Sequence, residues 1–283
     1  MKPDISFEFF PPNTTEGEAK LRVERQELAR AAPEFFSVTF GAGGANRDKT
    51  FSTVAEIAAE GLTVAPHIAG YGSTAESVLE LLGRYRTLGI RRLVVLRGDL
   101  PSAWGARHAG EFHFAADLVA FVRQQTGDWF HIEVAGYPEV HPQAGSPRAD
   151  LEAFVAKVRA GANSAITQYF FNADAYFRFR DEAAGMGLDV PIVAGIMPIT
   201  NFVQLARFSD TCGAEIPRWL RLRLADYGDD HSSIRALGLE VVARMCQRLV
   251  DGGAPGLHFY TLNRSAPSLA LVDSLSLPGP ALA

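Results

Sequence analysis

The sequence predicts a single α/β chain folded as an eight-fold β/α (TIM) barrel, with extra helices before the last strand. Three observations predict it: eight short runs rich in β-branched and aromatic residues, a longer helical pattern after each, and a suitable length. At 283 residues the chain sits near the roughly 250 residues usual for this fold with modest insertions. No linker interrupts it, so residues 1–283 read as one domain.

The candidate strands, in order, are 5–10 (ISFEFF), 35–40 (FFSVTF), 63–68 (TVAPHI) and 92–97 (RLVVLR), then 131–136 (HIEVAG), 164–169 (SAITQY), 191–196 (PIVAGI) and 256–261 (GLHFYT). Between them, apolar residues recur at helical spacing in Ala/Leu/Arg/Glu-rich stretches, as from Glu16 to Ala31 and from Leu151 to Ala160. Ser73-Thr74 ahead of Glu76, and Pro147 ahead of Asp150, mark helix starts. Gly61, Gly89 and Gly161 stand where a helix must stop before the next strand. Residues 200–251 are too long for one helix and predict two or three. The tail 276–283 (SLPGPALA) predicts a disordered end.

Composition removes several function classes. Apolar residues at 47% and charged residues at 21% suit a globular protein with a large core. A net charge of −5 without a basic run argues against nucleic-acid binding. No apolar stretch approaches the ~18 residues of a membrane span, and Met1 leads directly into a strand, so a cytoplasmic protein without a signal peptide is expected. Cys212 and Cys246 lack metal-type spacing and read as reduced core thiols. A Schiff-base aldolase needs a strand-borne lysine, but the one central lysine, Lys157, falls in a helix. A metal hydrolase needs clustered ligands, and the seven histidines form no HxH or HxxxH pair in a strand, so no metal is expected.

A barrel carries its chemistry at the C-terminal ends of its strands, and seven of those ends hold polar groups. Glu8 is the first: alternation places Ser6, Glu8 and Phe10 on one face, with Phe7 and Phe9 on the other. Three aromatics across five positions, Phe7, Phe9 and Phe10, predict a partly desolvated carboxyl with a raised pKa, suited to general-acid work; a structural ion pair with a neighbouring Arg is the alternative. Strand 4 ends in Arg97-Gly98-Asp99, where Gly98 permits close approach of a ligand; a turn with its own Arg–Asp pair fits equally. Tyr137-Pro138-Glu139-Val140-His141-Pro142 is a rigid loop of the kind that holds ligands. Gln168 suits hydrogen bonding to a heterocycle or a satisfied core position, and Arg264 suits an anionic group. Gly41-Ala42-Gly43-Gly44 after Thr39 is a weak glycine-rich turn, and His67 reads equally as ligand or core histidine.

These residues fall in motifs that resemble methylenetetrahydrofolate reductase. They are Phe7-Glu8-Phe9-Phe10-Pro11-Pro12, Val38-Thr39-Phe40-Gly41-Ala42, Leu96-Arg97-Gly98-Asp99-Leu100-Pro101 and Tyr137-Pro138-Glu139-Val140-His141-Pro142. Residues 160–168 (AGANSAITQ), Gly195-Ile196-Met197-Pro198 and Phe259-Tyr260-Thr261-Leu262-Asn263-Arg264 complete the set, in the family's order across nearly the whole chain. The chain resembles the short bacterial type, which is the catalytic barrel alone.

The resemblance implies a flavoprotein carrying FAD. It would take hydride from NADH or NADPH and reduce 5,10-methylenetetrahydrofolate to 5-methyltetrahydrofolate in ping-pong order, within one-carbon metabolism and methionine synthesis. By the same resemblance Glu8 is the acid that opens the methylene bridge, and Asp99 is the carboxylate near flavin and pterin. Gln168 would bind pterin or nicotinamide, Phe208 would stack on each substrate in turn, and Arg264 and Tyr260 would face the folate. Thr39, His67, Arg97, Gly98, Tyr137, His141, Asp150 and Lys157 match flavin-binding positions, and a homo-oligomer is the family expectation. The chain departs from the family at Ile68-Ala69-Gly70-Tyr71, Phe114-Ala115-Ala116-Asp117, Ala153 and Ala156, which thins the polar grip on the adenosine or phosphate side. Residues 104–112 form an insertion in the same region. The rival readings are a folate- or flavin-binding barrel without turnover, which would not need Glu8, and another pterin-handling barrel enzyme, which would not need the flavin positions.

Overall fold

Eight parallel strands close on themselves in the computed structural model, which describes residues 3–40, 47–98 and 110–276. The strands are β1 (Asp4–Phe9), β2 (Phe35–Val38), β3 (Val64–Ala69), β4 (Arg92–Leu96), β5 (His131–Gly136), β6 (Ser164–Thr167), β7 (Ile192–Ile196) and β8 (Gly256–Tyr260). Each pairs with its sequence neighbours, and β1 with β8 closes the ring through Ser6↔His258 and Glu8↔Tyr260. Several strands end one or two residues before the sequence expectation. Phe10, predicted to continue β1, instead has its backbone clamped by the Asn263 side chain, which accepts from Phe10 N at 3.0 Å and donates to Phe10 O at 2.8 Å.

Alternation along the strands separates two apolar layers. Phe7, Phe9 and Phe36 point outward toward the helices and stack on one another, with centroids 6.0 and 5.4 Å apart. All three are buried, and each such burial is worth about 1.5–3 kcal/mol. The inward positions form a smaller cluster of Phe35, Ala65, Val94 and Ile166, the packed interior of the barrel.

The helices surround this ring: α1 (Thr15–Ala29), α2 (Arg47–Ala59), α3 (Ala75–Thr87), α4 (Ala115–Thr126), α5 (Pro147–Arg159) and α6 (Ala173–Gly185). Then α7 (Phe202–Cys212), α8 (Arg218–Asp226) and α9 (His231–Asp251) occupy the predicted multi-helix stretch, and α10 (Ser265–Ser274) follows β8. Helix α5 begins at Pro147, where the sequence marks its start, because Ser146 caps it through Ala149 N and Pro147 takes the first turn, where no amide is needed. Thr74 caps α3, and Gly61, Gly89 and Gly161 all adopt positive φ at the helix stops. Cys246 is buried as expected, but Cys212, the last residue of α7, is only half-buried, its Sγ 3.4 Å from the Tyr169 hydroxyl. Among the described residues no helix is long and apolar enough to cross a membrane.

Candidate active site

A cavity of about 900 Å³ opens at the C-terminal ends of the strands, toward the upper end of the roughly 300–1,000 Å³ of small-molecule sites. It gathers Glu8, Thr39, His67, Arg97, Gly98, Tyr137, His141, Asp150, Lys157, Gln168 and Tyr260 from seven strand ends and α5. A second pocket of about 230 Å³ holds Phe208 and Arg264, and Tyr260 lines both. The Asp99 assignment and the Gly41–Gly44 turn lie outside the described residues.

Glu8 does not sit among the phenylalanines of its own strand. Phe7 and Phe9 occupy the opposite face, and Phe10 is 46% exposed beyond the strand end. The carboxyl points instead into a polar part of the barrel interior, where Oε2 lies 3.4 Å from His67 Nε2 and 3.7 Å from His258 Nε2. Neither the desolvating aromatic sleeve nor an arginine partner is found there among the described residues. His258 is fully buried on β8, with Nδ1 2.7 Å from Ser6 Oγ and Nε2 3.4 Å from Ser37 Oγ. It was not anticipated, although the alternation that places Tyr260 inward places His258 inward too. Burial, against the charge of Glu8 and with that of His258, lowers the His67 pKa to about 4, so this imidazole is neutral near pH 7. Its Nε2 makes no hydrogen bond among the described residues; the approach to Glu8 is electrostatic contact without hydrogen-bond geometry.

The remaining groups are held by local bonds. Arg97 donates to Gln143 Oε1 at 2.5 Å and to Gly98 O. Gly98 has φ 88°, and an added Cβ would meet Ala69 Cβ at 3.1 Å and Tyr71 Cβ at 3.2 Å, so glycine is required. In the loop after β5, the Tyr137 and His141 rings meet edge-on at 4.6 Å, and Asp150 Oδ2 accepts His141 N–H at 3.0 Å. Lys157 Nζ donates to Ala135 O at 2.5 Å; burial, opposed by Asp150 and aided by Arg97, lowers its pKa to about 8. Gln168 Oε1 accepts Tyr169 N–H at 2.9 Å, leaving the amide NH₂ as the donor toward the cavity. Thr261 Oγ1 donates to Glu8 O at 2.6 Å, stitching the β8 end to the β1 end beside both pockets.

Tyr260 forms the wall between the pockets, its hydroxyl donating to Thr167 O at 2.7 Å. Burial, then the charge of Glu8, pushes its pKa well up, so it stays a neutral donor. The ring lies over Gly195, where a Cβ would stand 2.0 Å from Thr167 O and 2.8 Å from Tyr260 Cε2. Gly195→Ala is therefore expected to destabilise by at least about 1–3 kcal/mol, the usual cost of overpacking. A denaturation midpoint equal to that of the parent would refute this.

The family model described as methylenetetrahydrofolate reductase matches residues 1–276. The chain is 40% identical over 278 residues to the 5,10-methylenetetrahydrofolate reductase of Salmonella typhimurium, covering 98% of this chain and 92% of that protein. Identity and coverage are the same for the enzyme of that name from Escherichia coli. For Buchnera aphidicola subsp. Schizaphis graminum identity is 37%, over 93% of this chain and 89% of the relative. Among solved structures, an uncharacterised protein from Clostridium thermocellum, described as binding two copies of 5-methyl-5,6,7,8-tetrahydrofolic acid, superposes with a TM-score of 0.63. It covers 96% of this chain and 94% of its own at 16% identity, a likeness of fold.

Proposed function

We propose that this chain, which belongs to the methylenetetrahydrofolate reductase family, reduces 5,10-methylenetetrahydrofolate to 5-methyltetrahydrofolate with NADH or NADPH as reductant and FAD as cofactor. The observation that carries this reading is the shared Tyr260 wall, which sets the cavity of Glu8 and Gln168 against the pocket of Phe208 and Arg264. A bulky substrate can then place its ring in one pocket and its acidic tail in the other.

The larger cavity fits a flavin dinucleotide. The buried His67 Nε2 has no hydrogen-bond partner among the described residues and faces the space, and Arg97 and Lys157 offer two cations for phosphates. Val94, Leu96, Ala135 and Ile166 provide an apolar floor. Thr39, His67, Arg97, Gly98, Tyr137, His141, Asp150 and Lys157 would hold the cofactor, which when bound supplies acceptance and return of a hydride.

The chain's own groups supply the rest. Glu8 donates a proton to the nitrogen that leaves when the methylene bridge opens to the reactive iminium. His258, fixed by Ser6 and Ser37, and His67 line the space that carboxyl occupies, 3.7 and 3.4 Å from its Oε2. The Gln168 amide NH₂ hydrogen-bonds the pterin, or the nicotinamide amide in the other half-reaction. Phe208 packs on whichever ring is present, and Arg264 pairs with the carboxylate tail.

The direct test is the visible spectrum. Protein mixed with FAD should show a bound flavin band, bleached by NADH or NADPH and restored by methylenetetrahydrofolate; no binding with excess FAD would refute the reading. His258→Asn should slow the folate half-reaction at least about tenfold and shift its pH profile, while nicotinamide-driven bleaching keeps its rate. Equal slowing of both would make His258 purely structural.

A further inference from the structure

The chain leaves β8 through a turn that backbone energetics alone would not choose. Leu262 and Asn263 both have positive φ, 50° and 57°, and Arg264 N donates to Thr261 O at 3.0 Å to close the turn around them. Asparagine tolerates this left-handed region, but a leucine there is strained. Glycine at position 262 would remove the strain. The leucine instead gives its side chain to the second pocket, beside Phe10, Arg264 and Pro267. Strain of this kind persists only where the surrounding structure over-determines it, and it gathers at ligand sites.

Asn263 supplies that constraint. Its side chain engages both backbone polar groups of Phe10, accepting the N–H at 3.0 Å and donating to the carbonyl at 2.8 Å. Its own N–H donates at 3.1 Å to Thr261 Oγ1, which in turn donates to Glu8 O at 2.6 Å. The end of β1 therefore has two separate fastenings, Thr261 at Glu8 and Asn263 at Phe10. Glu8 lines the larger cavity and Phe10 the second pocket, while Asn263 itself lines neither.

We propose that Asn263 is a positioning residue for the folate half-reaction: its clamp on Phe10 and its left-handed backbone set Phe10, Leu262 and Arg264 around the second pocket, in register with Glu8. This rests on the acidic tail of the folate occupying that pocket. Because Thr261 fastens Glu8 independently, loss of the clamp weakens substrate binding far more than it slows proton donation.

The test is stopped flow on FAD-loaded protein carrying Asn263→Gly, which keeps the left-handed backbone and deletes the clamp. The apparent Kd for methylenetetrahydrofolate in flavin reoxidation should rise about tenfold or more, the size of a lost hydrogen bond to a charged group. The limiting rate of reoxidation, and the rate of flavin reduction by NADH or NADPH, should stay near the parent's. Asn263→Asp keeps the acceptor for Phe10 N–H and loses the donor, so its Kd should fall between the two. Arg264→Ala should raise the same Kd, and the double variant should bind more tightly than the product of the two single losses, because Asn263 acts through Arg264. An unchanged Kd in Asn263→Gly, full additivity with Arg264→Ala, or equal slowing of both half-reactions would overturn the proposal. Should Asn263→Gly fail to fold, Asn263→Asp alone and combined with Arg264→Ala decides by the same criteria. A parent protein that binds FAD but is not reoxidised by methylenetetrahydrofolate refutes the proposed function itself, and the role of Asn263 falls with it.

Discussion

Glu8→Gln is expected to abolish hydride delivery to the folate while leaving reduction by nicotinamide intact. The substitution keeps the side chain's length and its place between His67 and His258, which approach Oε2 at 3.4 and 3.7 Å, but removes the acidic proton. Positioned acids contribute about 10²–10⁴ in rate, so the folate half-reaction should fall by that factor in stopped flow. Transfer of hydride from NADH or NADPH involves no proton from this carboxyl, and its rate should match the parent's. If both half-reactions slow together, Glu8 shapes the cavity and another group is the acid. Because the nearby His67 is neutral above its pKa of about 4, it has no proton to lend near neutral pH, and the variant should not be rescued by modest acidification.

How much of this was legible in the sequence follows from where each piece of information resides. The barrel was readable because β-strand and helix periodicities are local, and Gly61, Gly89 and Gly161 mark stops that depend only on backbone φ. Strand ends were less readable: Phe10 leaves β1 because of Asn263, 253 residues away. Glu8 was visible as an odd carboxyl, but its surroundings were misread. In a strand the adjacent residues face away, so the environment of Glu8 comes from β3 and β8, as His67 and His258, and not from Phe7 and Phe9. The bond from Arg97 to Gln143 across a loop was likewise not visible in the local sequence. The resemblance led to residues that converge on two joined pockets, yet it offered nothing on His258 or on Glu133, whose partners are known only from strand register.

Glu133 carries the second large expected effect, on stability. It lies on β5 toward the N-terminal end of the barrel, 1% exposed, where Arg92 Nη1 at 2.6 Å, Ser164 Oγ at 2.5 Å and His131 Nε2 at 3.2 Å converge on its carboxyl. Burial alone would raise its pKa, but the His131 hydrogen bond, the Arg92 charge and the Ser164 hydroxyl outweigh burial and hold it below the ordinary carboxylate range. Breaking such a buried pair from one side costs about 3–5 kcal/mol. Glu133→Gln should fall at the lower end, because Arg92 keeps its contact with Glu34, giving a drop in Tm of about 10 °C. Activity per folded molecule should be unchanged, since residues at this end of a barrel serve stability.

The pH dependence separates Glu133 from His67. A carboxyl with a depressed folded pKa stabilises the fold above its unfolded value of about 4.3, and that contribution is lost as pH falls through the folded value. His67, held at about 4 in the fold against an ordinary 6.5, instead lets the unfolded chain take up a proton that the folded chain refuses. Its effect is a loss of stability as pH falls from about 6.5 to about 4. Denaturation midpoints for Glu133→Gln should therefore decline with the parent's slope between those two values and more gently below them. A parallel decline at every pH would show that the Glu133 carboxyl binds its proton equally well in the folded and unfolded chain, so that its partners do not favour the ionised form.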